Sequence, residues 1–301
     1  MTPDYEAIWA AADSPAPPPL EIRYMLHAAA DALRAAGSPS ARLDADVLLA
    51  TVLAINRAQL YARLRDPWPP GALAAFGALL RRRLAGEPIA YIVGHKDFYG
   101  LDIQVDRRVL IPRPETEELV GAVLAALPAG ARGPIADLGT GSGAIALALA
   151  VHRPQLRIYA CDLAADALAV AAANFAAHGL AADPRIQLLQ GDLGAPLPEP
   201  VRGIVANLPY TVLDEVEPGV RAWEPELALR GGGARGAALL GRFLAAAPAW
   251  LVPGGFLALE IGWDQAPALL PQAAAAFPGA ELRVLQDLAQ RDRVLWVQTG
   301  A

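Results

Sequence analysis

From residue 21 to about residue 84 the apolar positions recur at helical intervals: Tyr24, Leu26, Ala30 and Leu33, then Leu43, Val47, Leu48, Val52 and Leu53. That spacing stacks them on one face of successive helices. Ser38-Pro39-Ser40 and Pro67-Trp68-Pro69-Pro70-Gly71 interrupt the pattern, as residues that break helical continuity do. The segment therefore reads as a small all-helical module over residues 21–92. Residues 1–20, which end in Ser14-Pro15-Ala16-Pro17-Pro18-Pro19, are too rich in proline for a helix and are expected as a loose, flexible arm. Beyond the module the period falls to two. Leu101-Asp102-Ile103-Gln104-Val105 alternates apolar with polar residues between turn formers at Gly100 and Asp106-Arg107-Arg108, which predicts a β-hairpin linker over residues 93–113. Pro114, followed by Glu115, Glu117 and Glu118, marks a helix start.

From residue 134 onward short apolar runs alternate with helical stretches. Strands are predicted at 134–138, 157–162, 185–190, 203–206, 256–261, 282–285 and 293–297. Helices are predicted at 144–151, at 164–177, from 237 to about 247, and between 265 and 277. Gly179 suits the C-terminus of the second of these helices, and Pro253-Gly254-Gly255 a turn before the fifth strand. The alternation predicts an α/β fold over residues 114–301: a seven-stranded, mostly parallel sheet with helices on both faces. Ligands of such sheets sit outside the carboxyl ends of the strands.

Composition narrows the function. Hydrophobic residues make up 54% and charged residues 19% of the 301, as in a globular protein. A net charge of −6 argues against a chain-wide nucleic-acid footprint, so no stable nucleic-acid partner is expected. Cys161 is the only cysteine, which excludes an intrachain disulfide and a cysteine-cluster metal site, and the four histidines are scattered. No signal-peptide pattern and no apolar run of about 18 residues stands out, so no membrane partner and a cytoplasmic location are expected. Arg81-Arg82-Arg83 reads as a solvated helix end.

The candidate chemistry lies at strand ends. After the first predicted strand comes Gly139-Thr140-Gly141-Ser142-Gly143, a glycine-rich turn into a helix. Glycines there let the backbone approach a bound cofactor closely. Asp162 ends the next strand, 23 positions after Gly139, where a carboxylate can accept both hydroxyls of a ribose. A dinucleotide fingerprint carries a similar acid, but the spacing here is Gly-x-Gly-x-Gly. With Asp137 before the turn and Asp192 after the third strand, that spacing favours S-adenosylmethionine over NAD. The fourth strand stops at Asn207-Leu208-Pro209-Tyr210. Asn207 offers an acceptor and a donor, Pro209 stiffens the corner and Tyr210 offers a plane. The group suits the grip of a flat, nitrogen-bearing substrate.

Several separated motifs resemble the HemK family, the protein-(glutamine-N5) methyltransferases that act on peptide chain release factors. They are Gly86-Glu87-Pro88-Ile89-Ala90-Tyr91-Ile92, Phe98-Tyr99-Gly100-Leu101, Ile111-Pro112-Arg113-Pro114-Glu115-Thr116-Glu117, the glycine loop, the Asn207 corner, Glu224-Pro225-Glu226-Leu227-Ala228-Leu229 and residues 287–293. The resemblance implies a Rossmann-like class I methyltransferase domain and a helical N-terminal domain that helps dock the release factor. Residues 139–143 and Asp162 would hold S-adenosylmethionine (product S-adenosylhomocysteine), with Asp192 and Leu193 near its adenine. Asn207, Leu208, Pro209 and Tyr210 would receive the glutamine of a Gly-Gly-Gln loop. One departure stands out: Leu208 replaces the first proline of the family's usual Asn-Pro-Pro-Tyr. Asn-Leu-Pro-Tyr resembles the corner of ribosomal-RNA adenine-N6 dimethyltransferases, so an RNA adenine and a non-catalytic release-factor scaffold are the alternatives. The linker motifs and acidic balance favour a protein substrate.

Overall fold

A computed structural model describes residues 21–300; the arm expected over residues 1–20 lies outside the described residues. The described chain forms two compact units that meet at Gly94/His95. In the first, α1 (Ile22–Ala35), α2 (Ala41–Val52), α3 (Arg57–Ala62), α4 (Ala72–Leu84) and a short α5 (Ile89–Val93) follow one another. Leu26, Leu33, Leu48, Leu49, Phe76 and Leu80 fill their core. Charge pairs tie the ends together. Buried Asp44 accepts from Ser38 and Ser40 at 2.8 Å and from Arg83 at 2.7 Å, and Arg82 makes two bonds to Glu87. Two members of the arginine triplet thus serve the helical unit's own structure, where a solvated helix end was expected.

The second unit opens with an antiparallel hairpin, β1 (His95–Phe98) and β2 (Leu101–Gln104). Then come α6 (Pro114–Ala126), β3 (Gly133–Leu138), α7 (Ala144–His152), β4 (Leu156–Asp162), α8 (Ala165–Ala177), β5 (Ile186–Gln190) and β6 (Val201–Ala206). After α9 (Pro218–Trp223) and α10 (Ala238–Ala246) follow β7 (Leu251–Glu260), α11 (Ala266–Ala276), β8 (Glu281–Gln286) and β9 (Asp292–Gln298). The seven strands β3–β9 form one sheet in the order β5-β4-β3-β6-β7-β9-β8. The first five are parallel, and β9 runs antiparallel to both its neighbours.

The alternation of a strand sorts its residues between two layers. Ala136 and Leu138 of β3 pack with Leu240, Phe243 and Leu269 of α10 and α11, while α6, α7 and α8 pack in turn on one another along the other side. Gly179 (φ 76°) closes α8, as its sequence position suggested: its N–H donates to Ala176 and that of Leu180 to Phe175, a Schellman end. Strand β7 departs from expectation. It begins at Leu251 and carries Pro253-Gly254-Gly255 as an irregularity, since Val201 pairs with Leu251 but Gly203 with Phe256. The excess residues are absorbed in a bulge, and the pairing resumes before the functional end.

Candidate active site

The chain leaves β3 for β4 and β5 on one side, then returns to β6 on the other. The order therefore reverses between β3 and β6, the switch point at which open α/β sheets bind ligands. At that end Gly139 follows β3, Asp162 ends β4, Gly191-Asp192 follows β5, Asn207 follows β6 and Glu260 ends β7. A cavity of about 370 Å³ is lined by Gly139, Thr140, Gly141, Ser142, Asp162, Asp192, Leu193, Asn207, Leu208 and Pro209. Ten of the predicted site residues thus share one recess. Two do not line it. Gly143 lies behind, where an added Cβ would come within 3.0 Å of Ala171 on α8, so its smallness serves helix packing. Tyr210 faces a second recess of about 550 Å³, whose wall it shares with Asn207, Leu208, Pro209, Glu260 and Trp263.

The glycine turn is held by a buried acid. Asp137 Oδ2 accepts from the Thr140 hydroxyl at 2.6 Å and from the Ala146 N–H in the first turn of α7 at 3.1 Å, while its Oδ1 is buried without a partner. Complete burial pushes this carboxyl up to about 7, against the pull of those two donors. Gly141 (φ 55°) donates to Asp162 Oδ2 at 2.8 Å, and a Cβ there would meet nothing within 4 Å. Its backbone is thus bared to the cavity. Asp162 Oδ1 accepts from Ala164 N–H at 2.9 Å. Each oxygen has a single protein donor and can accept more, the capacity that a ribose diol requires. Asp192 is paired bidentately with Arg242 of α10 at 2.5 and 3.0 Å, and this partner holds its carboxyl below the usual range. Burial pushes the neighbouring Cys161 thiol up to about 12, which makes it a poor nucleophile.

At the corner the Asn207 side-chain NH2 donates to Thr116 Oγ1 at 3.0 Å. That bond turns the amide so that Oδ1 remains for a ligand. Leu208 is 4% exposed, and an added Cβ at Gly139 would lie 2.9 Å from its Cδ2. Its side chain therefore fills the space beside the glycine turn and joins the two halves of the site. The Tyr210 hydroxyl donates to Glu260 Oε1 at 3.1 Å.

Several supports escaped sequence reasoning. Buried Asn174 of α8 exchanges bonds with the Gln104 N–H and carbonyl (2.7 and 2.9 Å) and donates to the Ser142 carbonyl (2.8 Å), which ties the hairpin to the glycine turn. Glu224 accepts from Ile111 N–H at 3.0 Å and Arg113 at 2.5 Å, so Arg113 is part of an ion pair. Gln265 donates to the Tyr210 carbonyl at 2.9 Å and accepts from Gly262 N–H at 2.8 Å. An apolar pattern carries no signal for such polar braces. Among these residues only Ile111, Arg113 and Glu224 fell within motifs that the sequence singled out, and nothing there paired them.

Fold and site together define a class I, Rossmann-like methyltransferase. A methyltransferase of known structure from Pyrococcus furiosus shares that fold: TM-score 0.51, 17% identity, 73% of this chain and 98% of that one covered. Residues 25–94 match the PrmC N-terminal domain and residues 120–222 the methyltransferase small domain. The release factor glutamine methyltransferase of Moorella thermoacetica is 44% identical over 282 residues, covering 91% of this chain and 97% of the relative. That of Cereibacter sphaeroides is 45% identical over 273 residues, covering 90% and 95%. The chain belongs to the release factor glutamine methyltransferase family.

Proposed function

We propose that the protein transfers a methyl group from S-adenosylmethionine to the side-chain amide nitrogen (N5) of the glutamine in the Gly-Gly-Gln loop of peptide chain release factors. The observation that carries this reading is the position of Asn207-Leu208-Pro209, which lines both recesses. A corner that walls two cavities can present a group from one to a ligand in the other.

The cofactor recess is assigned to residues 139–142, Asp162, Asp192 and Leu193, with Gly143 seating the turn on α8. Gly141 offers open backbone and Asp162 spare acceptor capacity, which fits S-adenosylmethionine. When bound, this cofactor supplies an electrophilic sulfonium methyl group. The rest falls to the chain. An amide nitrogen is a poor nucleophile because its lone pair is delocalised. Asn207 Oδ1 and the Leu208 carbonyl accept the two N–H bonds of the substrate amide and aim its nitrogen at the cofactor recess, while Tyr210 packs against the glutamine. Leucine at 208 keeps the carbonyl that a proline would offer. Catalysis then consists of positioning and electrostatics, with the proton lost after transfer.

Residues 21–92 are assigned to docking of the release factor, 93–113 to the linker and 114–301 to the methyltransferase domain. Among the described residues no helix is long and apolar enough to cross a membrane; a cytoplasmic location suits a modifier of translation factors.

The test incubates the protein with labelled S-adenosylmethionine and a release factor, wild type or with its Gly-Gly-Gln glutamine replaced, alongside ribosomal RNA. Label on the wild-type factor alone supports the reading. Label in RNA, or on the substituted factor, overturns it. Asn207→Ala should lower turnover by about a hundredfold or more while the affinity for S-adenosylmethionine, read by calorimetry, stays within a few-fold.

A further inference from the structure

Behind the corner lies a buried acid that the mechanism above does not use. Glu260 ends β7 and is 1% exposed. Its place follows from register: Ala206 pairs with Leu259 on one side, which brings Glu260 beside Asn207, and Val294 of β9 pairs with Glu260 on the other. Oε1 accepts the Tyr210 hydroxyl, and Oε2 is enclosed without a hydrogen-bond partner. Thr116 of α6 accepts from the Asn207 amide. Its own proton remains to be donated, and it favours the charged form of Glu260. Burial pushes the Glu260 carboxyl up, and Glu115 adds to this, whereas Thr116, Tyr210 and Arg293 oppose it. Arg293 is itself buried and paired with Asp287 at 3.0 Å. A buried acid with one unpaired oxygen is costly to keep. Here it bears directly on Tyr210 of the corner.

We propose that Glu260 is the positioning residue of the acceptor corner, anchoring Tyr210 through its hydroxyl from a place beside Asn207. Arg293, steadied by Asp287, supplies the counter-charge behind it, which gives residues 287–293 a role. The inference rests on the functional reading above. It concerns aim: a corner whose ring and amide drift still binds the cofactor but holds the substrate nitrogen out of line, and misplacement costs turnover.

The experiment uses the full-length protein, labelled S-adenosylmethionine and a release factor. Glu260→Gln keeps size and one acceptor but replaces the carboxyl by an amide that cannot ionise. Tyr210→Phe removes the hydroxyl that is bonded to it. Each is expected to lower kcat about tenfold or more, with KM for the release factor and the affinity for S-adenosylmethionine changed less than about threefold. Because the residues act as one unit, Glu260→Gln combined with Tyr210→Phe should be no slower than the slower single variant. Wild-type kcat in folded Glu260→Gln, or losses that multiply in the double variant, would overturn the proposal. Should Glu260→Gln fail to fold, Tyr210→Phe decides: a fall in kcat at unchanged cofactor affinity supports it, and wild-type kcat overturns it. A wild-type protein that labels no release factor overturns the functional reading and this inference with it. Variant effects on an active wild type bear on Glu260 alone.

Discussion

At the scale of the residue, the site depends on atoms that are missing as much as on those present. Gly139 sits at φ 75°, and a Cβ there would stand 2.9 Å from Leu208 Cδ2. Gly139→Ala therefore combines backbone strain with a clash and should destabilise the protein by about 1–3 kcal/mol, read as a lower midpoint of thermal unfolding. Adding Leu208→Ala should return the steric part of that loss and leave the strain, so the two changes should be less than additive. Full additivity would mean that Leu208 does not press on the turn. The departure at 208 thus has a structural content: its side chain closes the gap between the glycine turn and the corner at Asn207, and the proposed grip on the substrate amide needs only its carbonyl.

At the scale of the element, one acid holds an extended segment that hydrophobic pattern does not. Ile111 and Arg113 lie before the first turn of α6, and both donate to Glu224, which lies 111 positions beyond Arg113. Glu224 follows α9 and is 5% exposed, so its removal leaves a buried N–H and a part-buried guanidinium without a partner. Glu224→Ala should cost about 2–4 kcal/mol. It should also speed hydrogen exchange at the Ile111 amide more than at amides of β3, where strand pairing is untouched. Equal acceleration at both places would show global loosening, not release of this segment. The helix and strand assignments were legible because period and punctuation act over a few residues. The short α5, the irregular start of β7 and the braces at Asn174, Glu224 and Gln265 were not, because each depends on a partner far along the chain.

At the scale of the whole molecule, the buried acid under the glycine turn couples stability to pH. Asp137 is held at about 7 in the folded chain, mainly by burial, against an ordinary value of 3.8. Between about pH 4 and pH 7 the unfolded chain has lost this proton while the folded chain keeps it, so stability falls as pH rises through that window and levels off above it. Glu260, also pushed up by burial, adds to the same slope. The Asp137 contribution is at most about 4 kcal/mol. Asp137→Asn retains an acceptor for Ala146 and cannot ionise. Its stability relative to wild type should therefore rise between pH 5 and pH 8 in denaturant unfolding. A constant difference across that range would show that Asp137 is charged throughout.

The division between one dimension and three follows from the range of the forces involved. Residue order alone determined the helical module, the alternating α/β domain, the glycine turn and the corner at Asn207, since these rest on local periodicity, on turn chemistry and on short motifs. It also placed Asp162 and Asn207 at strand ends, and strand ends of such sheets are where ligands bind. Only the tertiary structure decided what those residues face. The reversal between β3 and β6 brings the glycine turn to the corner at Asn207. The register of β6, β7 and β9 puts Glu260 and Arg293 behind Tyr210. Two of the three arginines at 81–83, and Arg113, are structural partners of acids. A side-chain pairing across the fold has no period to read. It is set by packing, and only packing reveals it.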